Sequence, residues 1–182
     1  MAETLDVVDL IGRAGADVRR VAGGIGADEW HNPTPCTEYD VQRLVEHFVT
    51  SLEGIPSMAR GERPDWERRV DLGSDPAATL ASALDANCAY WASDGNAEAE
   101  MMPGMKLADL NLTEMVVHGW DLAKATGQDP AFDPAAVEGA WAWATGVPDE
   151  MRSQGSSFGP PVAVPDTAPT LDRLVGLLGR TP

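Results

Sequence analysis

The sequence predicts an all-α fold: an antiparallel four-helix bundle with additional C-terminal helices and an extended Pro-rich segment. Apolar residues recur at helical steps of three and four along four long stretches, and glycine or proline residues separate those stretches. No β-hairpin signature and no alternating strand pattern of any length occurs, so strands are not expected. A length of 182 residues fits a single domain over residues 1–182.

Four long helices are bounded by residues that begin or end helices. The first is expected over residues 4–25, where a cluster of glycines ends it. Two prolines then force a loop, after which Thr37 is expected to cap the second helix, with Asp40 in its first turn. The third helix is expected over about residues 75–93 and the fourth over residues 105–126.

Two shorter helices complete the predicted fold. Pro134 suits the first turn of a fifth helix, which is expected to end near residue 145. Residues 155–169 contain four prolines and two glycines and are expected to be extended. A last short helix is expected at about residues 171–178.

The composition argues against several functional classes. A formal net charge of −16 makes binding to nucleic acid or to anionic membranes unfavourable. No apolar run of 18 residues occurs and the N-terminus lacks the basic start of a signal peptide, so a cytoplasmic monomer or homodimer is expected. Cys36 and Cys88 are too few for a disulfide-stapled secreted protein, although a single bridge between them stays open.

The fourth predicted helix contains ionisable residues where an apolar face is expected. Glu114 and His118 lie among leucines on one stripe, and most of the neighbouring positions are apolar as well. A helix that is apolar on most sides is usually buried, and a buried carboxylate is costly unless something pairs with it. Because Glu114 and His118 are four residues apart, they can face one point, where a metal ion would balance the charge.

His47 in the second predicted helix offers a third ligand. It lies at the border of the apolar face and reaches Glu114 and His118 if the two helices are neighbours. Two imidazoles and one carboxylate are a well-attested zinc-binding set, and they leave a fourth position open for water or substrate. A divalent ion there keeps one positive charge, which an incoming thiolate or enolate would neutralise. Two simpler interpretations stay open: hydrogen-bonded structural histidines, and a plain Glu–His ion pair.

Other residues are weaker candidates for the site. Asp121, three residues after His118, is a candidate for orienting that imidazole, and equally for an ordinary exposed or paired carboxylate. Trp120 is a candidate pocket residue, with core packing as the alternative. Cys36 precedes a helix whose dipole would lower the pKa of the thiol, so a catalytic thiol there is a further hypothesis. His31 is expected at the surface.

Three segments resemble a known family. Residues 33–47, PTPCTEYDVQRLVEH, resemble the loop and second helix of DinB-like metal-binding bundles, in the branch of the mycothiol-dependent maleylpyruvate isomerase N-terminal domain. Residues 114–128, EMVVHGWDLAKATGQ, are similar to the second metal motif of that family. The closing segment, FGPPVAVPDTAP followed by LDRLVGLLGR, is similar to small stand-alone members. The resemblance implies a four-helix bundle in which His47, Glu114 and His118 hold a divalent metal, usually zinc.

The resemblance also implies chemistry with a low-molecular-weight thiol such as mycothiol. The expected function is a thiol-dependent transferase or isomerase, in which the metal activates the thiolate toward an electrophilic substrate. The isomerase itself carries a C-terminal domain, whereas this chain ends after one short helix, so maleylpyruvate isomerisation is not expected to carry over. The alternatives are a metal-dependent hydrolase and a non-catalytic, stress-related protein that binds a small molecule or metal.

Overall fold

The computed structural model describes residues 5–93, 95–148 and 158–182, and helices dominate those ranges. Six α-helices follow one another along the described chain: α1 Val7–Gly23, α2 Val41–Ala59, α3 Pro76–Trp91, α4 Leu107–Ala125, α5 Pro134–Gly146 and α6 Thr170–Leu177. A 3₁₀ helix, Asn96–Glu98, and a two-stranded antiparallel sheet, β1 Glu100–Met102 with β2 Met105–Lys106, precede α4. The all-α prediction is confirmed. Of the segment 155–169 that was expected to be extended, residues 155–157 lie outside the described residues, and residues 158–169 form no helix or strand.

The predicted start of α2 is wrong by three residues. Asp40, not Thr37, is the N-cap, and its Oδ1 accepts a hydrogen bond from the Arg43 backbone N–H at 2.8 Å. Residues before Asp40 form a turn, in which the Tyr39 N–H donates to the Cys36 carbonyl at 2.9 Å. Because the residues after Thr37 form this turn rather than the first turn of a helix, Thr37 cannot be the N-cap.

The hairpin of β1 and β2 contradicts the expectation that no strands occur. Only two residue pairs link the strands, and Gly104 takes a positive φ of 81° in the turn between them. A pairing this short has no readable alternation in the sequence, which is why it was not predicted. At the other end of the chain, Thr4, the predicted start of α1, lies outside the described residues. The first described cap is Asp6, which accepts from the Val8 N–H.

Contacts between residue pairs give the helix directions. In the contacts between α1 and α4, a residue later in α1 meets a residue later in α4. In the contacts between α1 and α3, a residue later in α1 meets a residue earlier in α3. The α1–α4 pairs are Gly15 with Met115 and Val18 with Gly119, and the α1–α3 pairs are Gly15 with Cys88 and Arg19 with Asp85. Thus α1 and α4 run one way and α3 runs the other, an order that the sequence did not reveal.

The direction of α2 follows from its contacts with α3 and α4. His47 contacts His118, whereas Leu52, further along α2, is linked through Asn87 to Asn111, further back along α4. Helices α2 and α4 therefore run in opposite directions, and α2 and α3 are parallel. Residues 60–75 must accordingly cross the length of the bundle to start α3 at the correct end.

Helix α4 is the most enclosed helix of the described chain, and this explains its composition. Between Leu107 and Ala123, only Asp109 and Leu110 are partly exposed. Contacts with α1, α2 and α5 cover its sides, so the prediction of a buried helix that contains charged residues is confirmed. In the described chain, no helix combines the length and the apolar character that crossing a bilayer requires.

A proline inside α2 is accommodated by a side chain from α3. Pro56 has no N–H, so the carbonyl of Leu52, four residues earlier, loses its helical donor. The Asn87 amide donates to that carbonyl at 2.7 Å and also to Asn111 Oδ1 at 2.8 Å. Asn111 returns a hydrogen bond to Asn87 Oδ1 at 3.0 Å. This buried network links α2, α3 and α4 just beyond the site residues and satisfies the orphaned carbonyl.

Two glycines let α4 and α5 approach closely. A methyl group at Gly119 would lie 2.6 Å from the Phe132 ring, and one at Gly139 would lie 3.0 Å from the Leu112 side chain. Phe132, just before α5, meets Gly119, whereas Gly139 within α5 meets Leu112, which lies earlier in α4. Helices α4 and α5 are therefore antiparallel. Residues of all six helices contribute to one continuous apolar core.

Candidate metal centre

Helices α2 and α4 bring the three predicted ligands together. His47 comes from α2, while Glu114 and His118 occupy successive turns of α4. Each offers one ligand atom, and the three atoms lie within 4.8 Å of one another, the one such group of His, Cys, Asp or Glu among the described residues. Two ligands of one zinc ion lie at most about 4.2 Å apart. A small side-chain adjustment therefore suffices for shared coordination.

Unpaired nitrogen atoms show that the residues fit a cation. Nε2 of His47 and Nε2 of His118 are buried and have no hydrogen-bond partner. His118 Nε2 lies 3.2 Å from Glu114 Oε2, but outside hydrogen-bonding geometry. Buried polar atoms in native proteins are almost always hydrogen-bonded, so two orphans beside one carboxylate require an explanation. A shared metal ion explains both.

Asp121 and Arg180 fix the orientation of the His118 ring. Nδ1 of His118 lies 3.2 Å from Asp121 Oδ2, and Asp121 is completely buried. Arg180, near the C-terminus, donates from Nε and Nη2 to the two oxygens of that carboxylate at 3.3 and 3.0 Å. With a proton on Nδ1 donated to Asp121, the Nε2 lone pair of His118 faces Glu114 and is free to bind a metal.

The same neighbours shift the pKa values of the three residues. Burial, assisted by His118, lowers the pKa of His47 to about 4, so this imidazole is neutral at pH 7. Burial opposes a charge on His118, but Glu114 and then Asp121 raise the pKa of His118 to about 9. Burial also opposes a charge on Glu114, yet the imidazole of His118 holds the pKa of that carboxyl below its usual range. The buried carboxylates thus favour a cation, whether a proton or a metal.

The two simpler interpretations explain less of this geometry. A Glu114–His118 ion pair accounts for the 3.2 Å approach, but it leaves Nε2 of His47 buried without a partner. Structural histidines are expected to have hydrogen-bonded ring nitrogens, and neither Nε2 atom is bonded. Ring packing alone links His47 to its neighbours, with centroids 5.1 Å from both the Tyr39 and His118 rings.

A cavity of about 750 Å³ opens beside His47 and Glu114. One face of α2 lines it at steps of four and three, through Arg43, His47, Ser51, Ile55 and Met58. The rise from His47 to Met58 is about 16 Å at 1.5 Å per residue. The space is large enough for a drug-sized molecule.

The opposite walls of the cavity are mainly apolar. They come from α4, α5, the hairpin and the segment after α2, and include Leu110, Trp143, Met101, Met105 and Trp66. Trp66 is 45% exposed and rests against α2 at Gly54, where a methyl group would lie 2.6 Å from the indole ring. The cavity therefore combines a polar half at Arg43, His47 and Glu114 with an apolar half beyond Ser51.

The remaining sequence candidates take other places. Trp120 is buried in the core and is not part of the cavity wall. It is therefore a core-packing residue, the alternative given for it above, rather than a pocket residue. The His31 side chain is 80% exposed, as expected at the surface, and lies 3.5 Å from Asp40. Cys36 and Cys88 are both free thiols, without a bridge between them.

A catalytic thiol at Cys36 does not fit its surroundings. Burial raises the pKa of the Cys36 thiol to about 11, and this outweighs the opposing effect of the Arg180 charge. The sequence hypothesis assumed a helix dipole at this cysteine, but α2 begins at Val41. Cys36 is therefore protonated and weakly nucleophilic at neutral pH.

Three features near the site were not predicted from the sequence. Arg180 contacts Asp121 although the two residues lie 59 positions apart in the sequence, and no local sequence pattern predicts such a contact. Glu46, adjacent to His47 in the chain, is buried and binds Arg43 and Arg69 at 2.8 and 2.9 Å. Trp143 of α5 lines the cavity. The burial of Glu46 could have been suspected, because this glutamate lies within an apolar stretch of α2. No sequence pattern pointed to the other two features.

Comparisons with known proteins identify the family. The family model described as the mycothiol maleylpyruvate isomerase N-terminal domain matches residues 11–123. Two uncharacterized proteins of Mycobacterium tuberculosis, one from strain CDC 1551 / Oshkosh and one from strain H37Rv, are each 31% identical over 160 residues, 86% of this chain and 88% of the relative. No solved structure gives a significant match. The chain therefore belongs to the mycothiol maleylpyruvate isomerase N-terminal domain family, a metal-binding and mycothiol-related family.

Proposed function

We propose that the chain is a divalent-metal-dependent transferase or isomerase that uses a low-molecular-weight thiol such as mycothiol. One observation carries the proposal: two buried imidazole nitrogens without partners converge with Glu114 beside a cavity of about 750 Å³. The family description, which names mycothiol, supports the choice of thiol. Two imidazoles and one carboxylate support zinc as the metal.

The proposed roles follow from the contacts of each residue. His47, Glu114 and His118 hold the ion, and Asp121 keeps the His118 ring in the orientation and tautomer that binding requires. Glu114 cancels one of two positive charges, so the site retains a net charge of about +1 toward an anionic sulfur. When bound, such an ion supplies Lewis acidity, which lowers the pKa of a thiol or water molecule at its open position.

The nucleophile is proposed to come from a bound thiol rather than from the chain. Cys36 is held protonated by burial, and Cys88 also has a pKa raised by burial. The cavity leaves room for a cofactor and a small substrate next to each other. In the transfer reaction a thiol RSH and an electrophile R′–X give RS–R′ and HX: the S–C bond forms, and X leaves with its electron pair. An isomerase would instead add the thiol reversibly and eliminate it again.

Metal content tests the ligand assignment. Purified wild-type protein, loaded with zinc and dialysed, is expected to retain about one ion per chain. His47→Ala and His118→Ala should each lose most of it, whereas His31→Ala, the third histidine variant, should retain it because that residue is exposed. Equal zinc contents in all four proteins, measured by elemental analysis beside circular dichroism, would show that the ligands are assigned wrongly.

A thiol panel tests the reaction class. Zinc-loaded protein is mixed with 1-chloro-2,4-dinitrobenzene and either mycothiol, glutathione or no thiol, and product formation is followed by absorbance. Turnover is expected only with a thiol and only when His47 and His118 are intact. Hydrolysis of a p-nitrophenyl ester at the same site without any thiol would favour the metal-dependent hydrolase instead. Absence of both activities, together with tight binding of mycothiol, would favour the non-catalytic binding protein.

A further inference from the structure

Arg43 brings a positive charge to the polar end of the cavity. Among the described residues that line the cavity, it is the one lysine or arginine. Arg43 precedes His47 by one helical turn on the same face of α2, about 6 Å along the axis. The Tyr39 ring lies beside both residues, with its centroid 5.1 Å from the His47 ring and 5.7 Å from the Arg43 Cζ. The guanidinium group therefore lies near an imidazole that is proposed to bind the metal.

Two of the three guanidinium nitrogens of Arg43 are available to a ligand. Nη1 donates to Glu46 Oε2 at 2.8 Å. Nε and Nη2 have no hydrogen-bond partner in the described chain, yet neither is among its buried unpaired nitrogens, so solvent reaches both atoms. The whole side chain is 28% exposed. Adjacent Nε and Nη2 donors form a planar fork that matches the two oxygens of a carboxylate.

The charge of Arg43 is not cancelled by its ion pair with Glu46. The buried Glu46 carboxylate also binds Arg69, whose Nε lies 2.9 Å from Oε2 and whose Nη2 lies 3.4 Å from Oε1. One carboxylate thus faces two guanidinium groups, which leaves the three residues with a net charge of +1. The Arg69 side chain is 71% exposed and is not part of this cavity wall, so water screens its charge. The surplus charge is therefore available at Arg43.

The carboxylates that line the cavity do not pair with Arg43. Glu114 lies 3.2 Å from His118 Nε2 and is one of the proposed metal ligands. Glu67 is exposed and forms no ion pair with any residue that the structure describes, so solvent screens its charge. An anionic group on a ligand can therefore bind the Arg43 guanidinium without displacing a carboxylate of the chain.

The far end of the cavity requires a different chemistry of the ligand. Beyond Ser51 its wall is mainly apolar and includes Ile55, Met58, Met101 and Met105. Methionine side chains adapt to varied apolar shapes. A ligand that is complementary to both ends carries an acidic group at one end and an apolar body at the other.

We propose that Arg43 determines specificity: its Nε and Nη2 donate paired hydrogen bonds to the carboxylate of the electrophilic substrate, an organic acid whose apolar body lies against Ile55 and Met58. The thiolate and the carboxylate then bind two separate cations, the metal and Arg43. The inference rests on the proposed function, because it takes this cavity as the substrate site. It adds the class of substrate and the residue that recognises it.

An acid and its uncharged amide test this assignment. Binding of trans-cinnamate and of cinnamamide to the full chain is measured by equilibrium dialysis, with zinc and again after zinc is removed by a chelator. In Arg43→Gln the preference for cinnamate over cinnamamide should fall about tenfold, because hydrogen bonds to a charged group are lost. Arg43→Lys keeps a cation beside Glu46 without the planar fork and should show an intermediate preference.

Two controls accompany these variants. Arg69→Gln is the matched control, because it also removes one guanidinium group from Glu46 but outside this cavity. It should lower the cinnamate preference by no more than about twofold, since an exposed charge acts only through screened solvent. Fumarate, a diacid without an apolar body, should bind wild type at least about tenfold more weakly than cinnamate, because its second carboxylate would enter the apolar half.

Other results overturn the assignment. A cinnamate preference that survives in Arg43→Gln, with the fold intact by circular dichroism, shows that another group binds the carboxylate. An equal loss in Arg69→Gln shows an effect of net charge rather than of contact. Failure of wild type to bind cinnamate, or equal binding of fumarate, excludes the substrate class. Should Arg43→Gln fail to fold, a full wild-type preference in Arg43→Lys excludes the paired donors.

Failure of this inference differs from failure of the proposed function. The cinnamate preference is measured without thiol and should persist after zinc is removed, because Arg43 binds the acid independently of the ion. A wrong metal assignment would appear in the zinc contents of the histidine variants while the cinnamate preference remained.

Discussion

Replacing Asp121 by asparagine tests the coupling between the buried carboxylate and the metal centre. The Asp121 carboxylate is completely buried, contacts His118 Nδ1 at 3.2 Å and pairs with Arg180 at 3.0 Å. Loss of a carboxylate that orients a metal-binding histidine typically costs 10–100-fold in affinity. Asp121→Asn should therefore weaken zinc binding by about 10–100-fold, equivalent to about 1.4–2.8 kcal/mol.

The same substitution also affects the stability of the metal-free fold. The substitution removes the buried carboxylate that binds the Arg180 guanidinium, which is only 3% exposed. Breaking a buried ion pair from one side costs about 3–5 kcal/mol. Asp121→Asn should lower the free energy of unfolding of the apo protein by about that amount. Adding Arg180→Met should recover part of the stability, because both charges are then absent.

Two measurements separate these effects. Competition with a chelating dye gives the zinc affinity, and urea unfolding of the apo proteins gives the free energy of unfolding. The double variant Asp121→Asn/Arg180→Met should regain stability without regaining zinc affinity, because His118 still lacks its carboxylate. Wild-type zinc affinity in a folded Asp121→Asn protein would refute the argument that this carboxylate supports the site.

Three further predictions concern packing and thiol reactivity. Asn87→Leu should lower the free energy of unfolding by about 2–4 kcal/mol, because it removes the donor to the Leu52 carbonyl and both hydrogen bonds between Asn87 and Asn111; urea denaturation with no change would contradict it. Gly139→Ala should destabilise the fold by about 1–3 kcal/mol, since its new methyl group would lie 2.9 and 3.0 Å from two leucine side chains. Gly12→Ala, on an open surface of α1, should instead stabilise it by about 0.5–1 kcal/mol. Iodoacetamide should alkylate Cys36 slowly at pH 8 in a Cys88→Ser background, because a pKa of about 11 leaves about one thiol in a thousand ionised. The rate should rise about tenfold per pH unit, and fast alkylation at pH 7 would show that the thiol is not buried as described.

Local rules were sufficient to predict the helices and the meeting of the three candidate ligands. Glu114 and His118 lie four residues apart on one helix, so their common face follows from helix geometry alone. His47 required one additional assumption, that α2 and α4 are neighbours, and their contacts confirm it. Asp121 was predictable in the same way, because a spacing of three residues also returns to the same side of a helix.

Features that depend on tertiary packing were out of reach of the sequence. Periodicity identified both Trp120 and Trp143 as helix residues, but it cannot say which of two apolar helix faces borders a cavity. Arg180 lies after a Pro-rich segment whose path no short-range rule determines. The parallel course of α2 and α3 likewise depends on a connection, residues 60–75, with little pattern of its own.

The order of the helices also has a consequence for synthesis on the ribosome. Helix α4 supplies the centre of the core and two of the three candidate ligands, yet it is the fourth helix to emerge. Until α4 emerges, the inner faces of α1, α2 and α3 lack the helix that packs against them. Glu114 is synthesised 67 residues after His47. The nascent chain therefore exposes a hydrophobic groove for most of its translation, and this groove is a natural substrate for chaperones that bind emerging polypeptides.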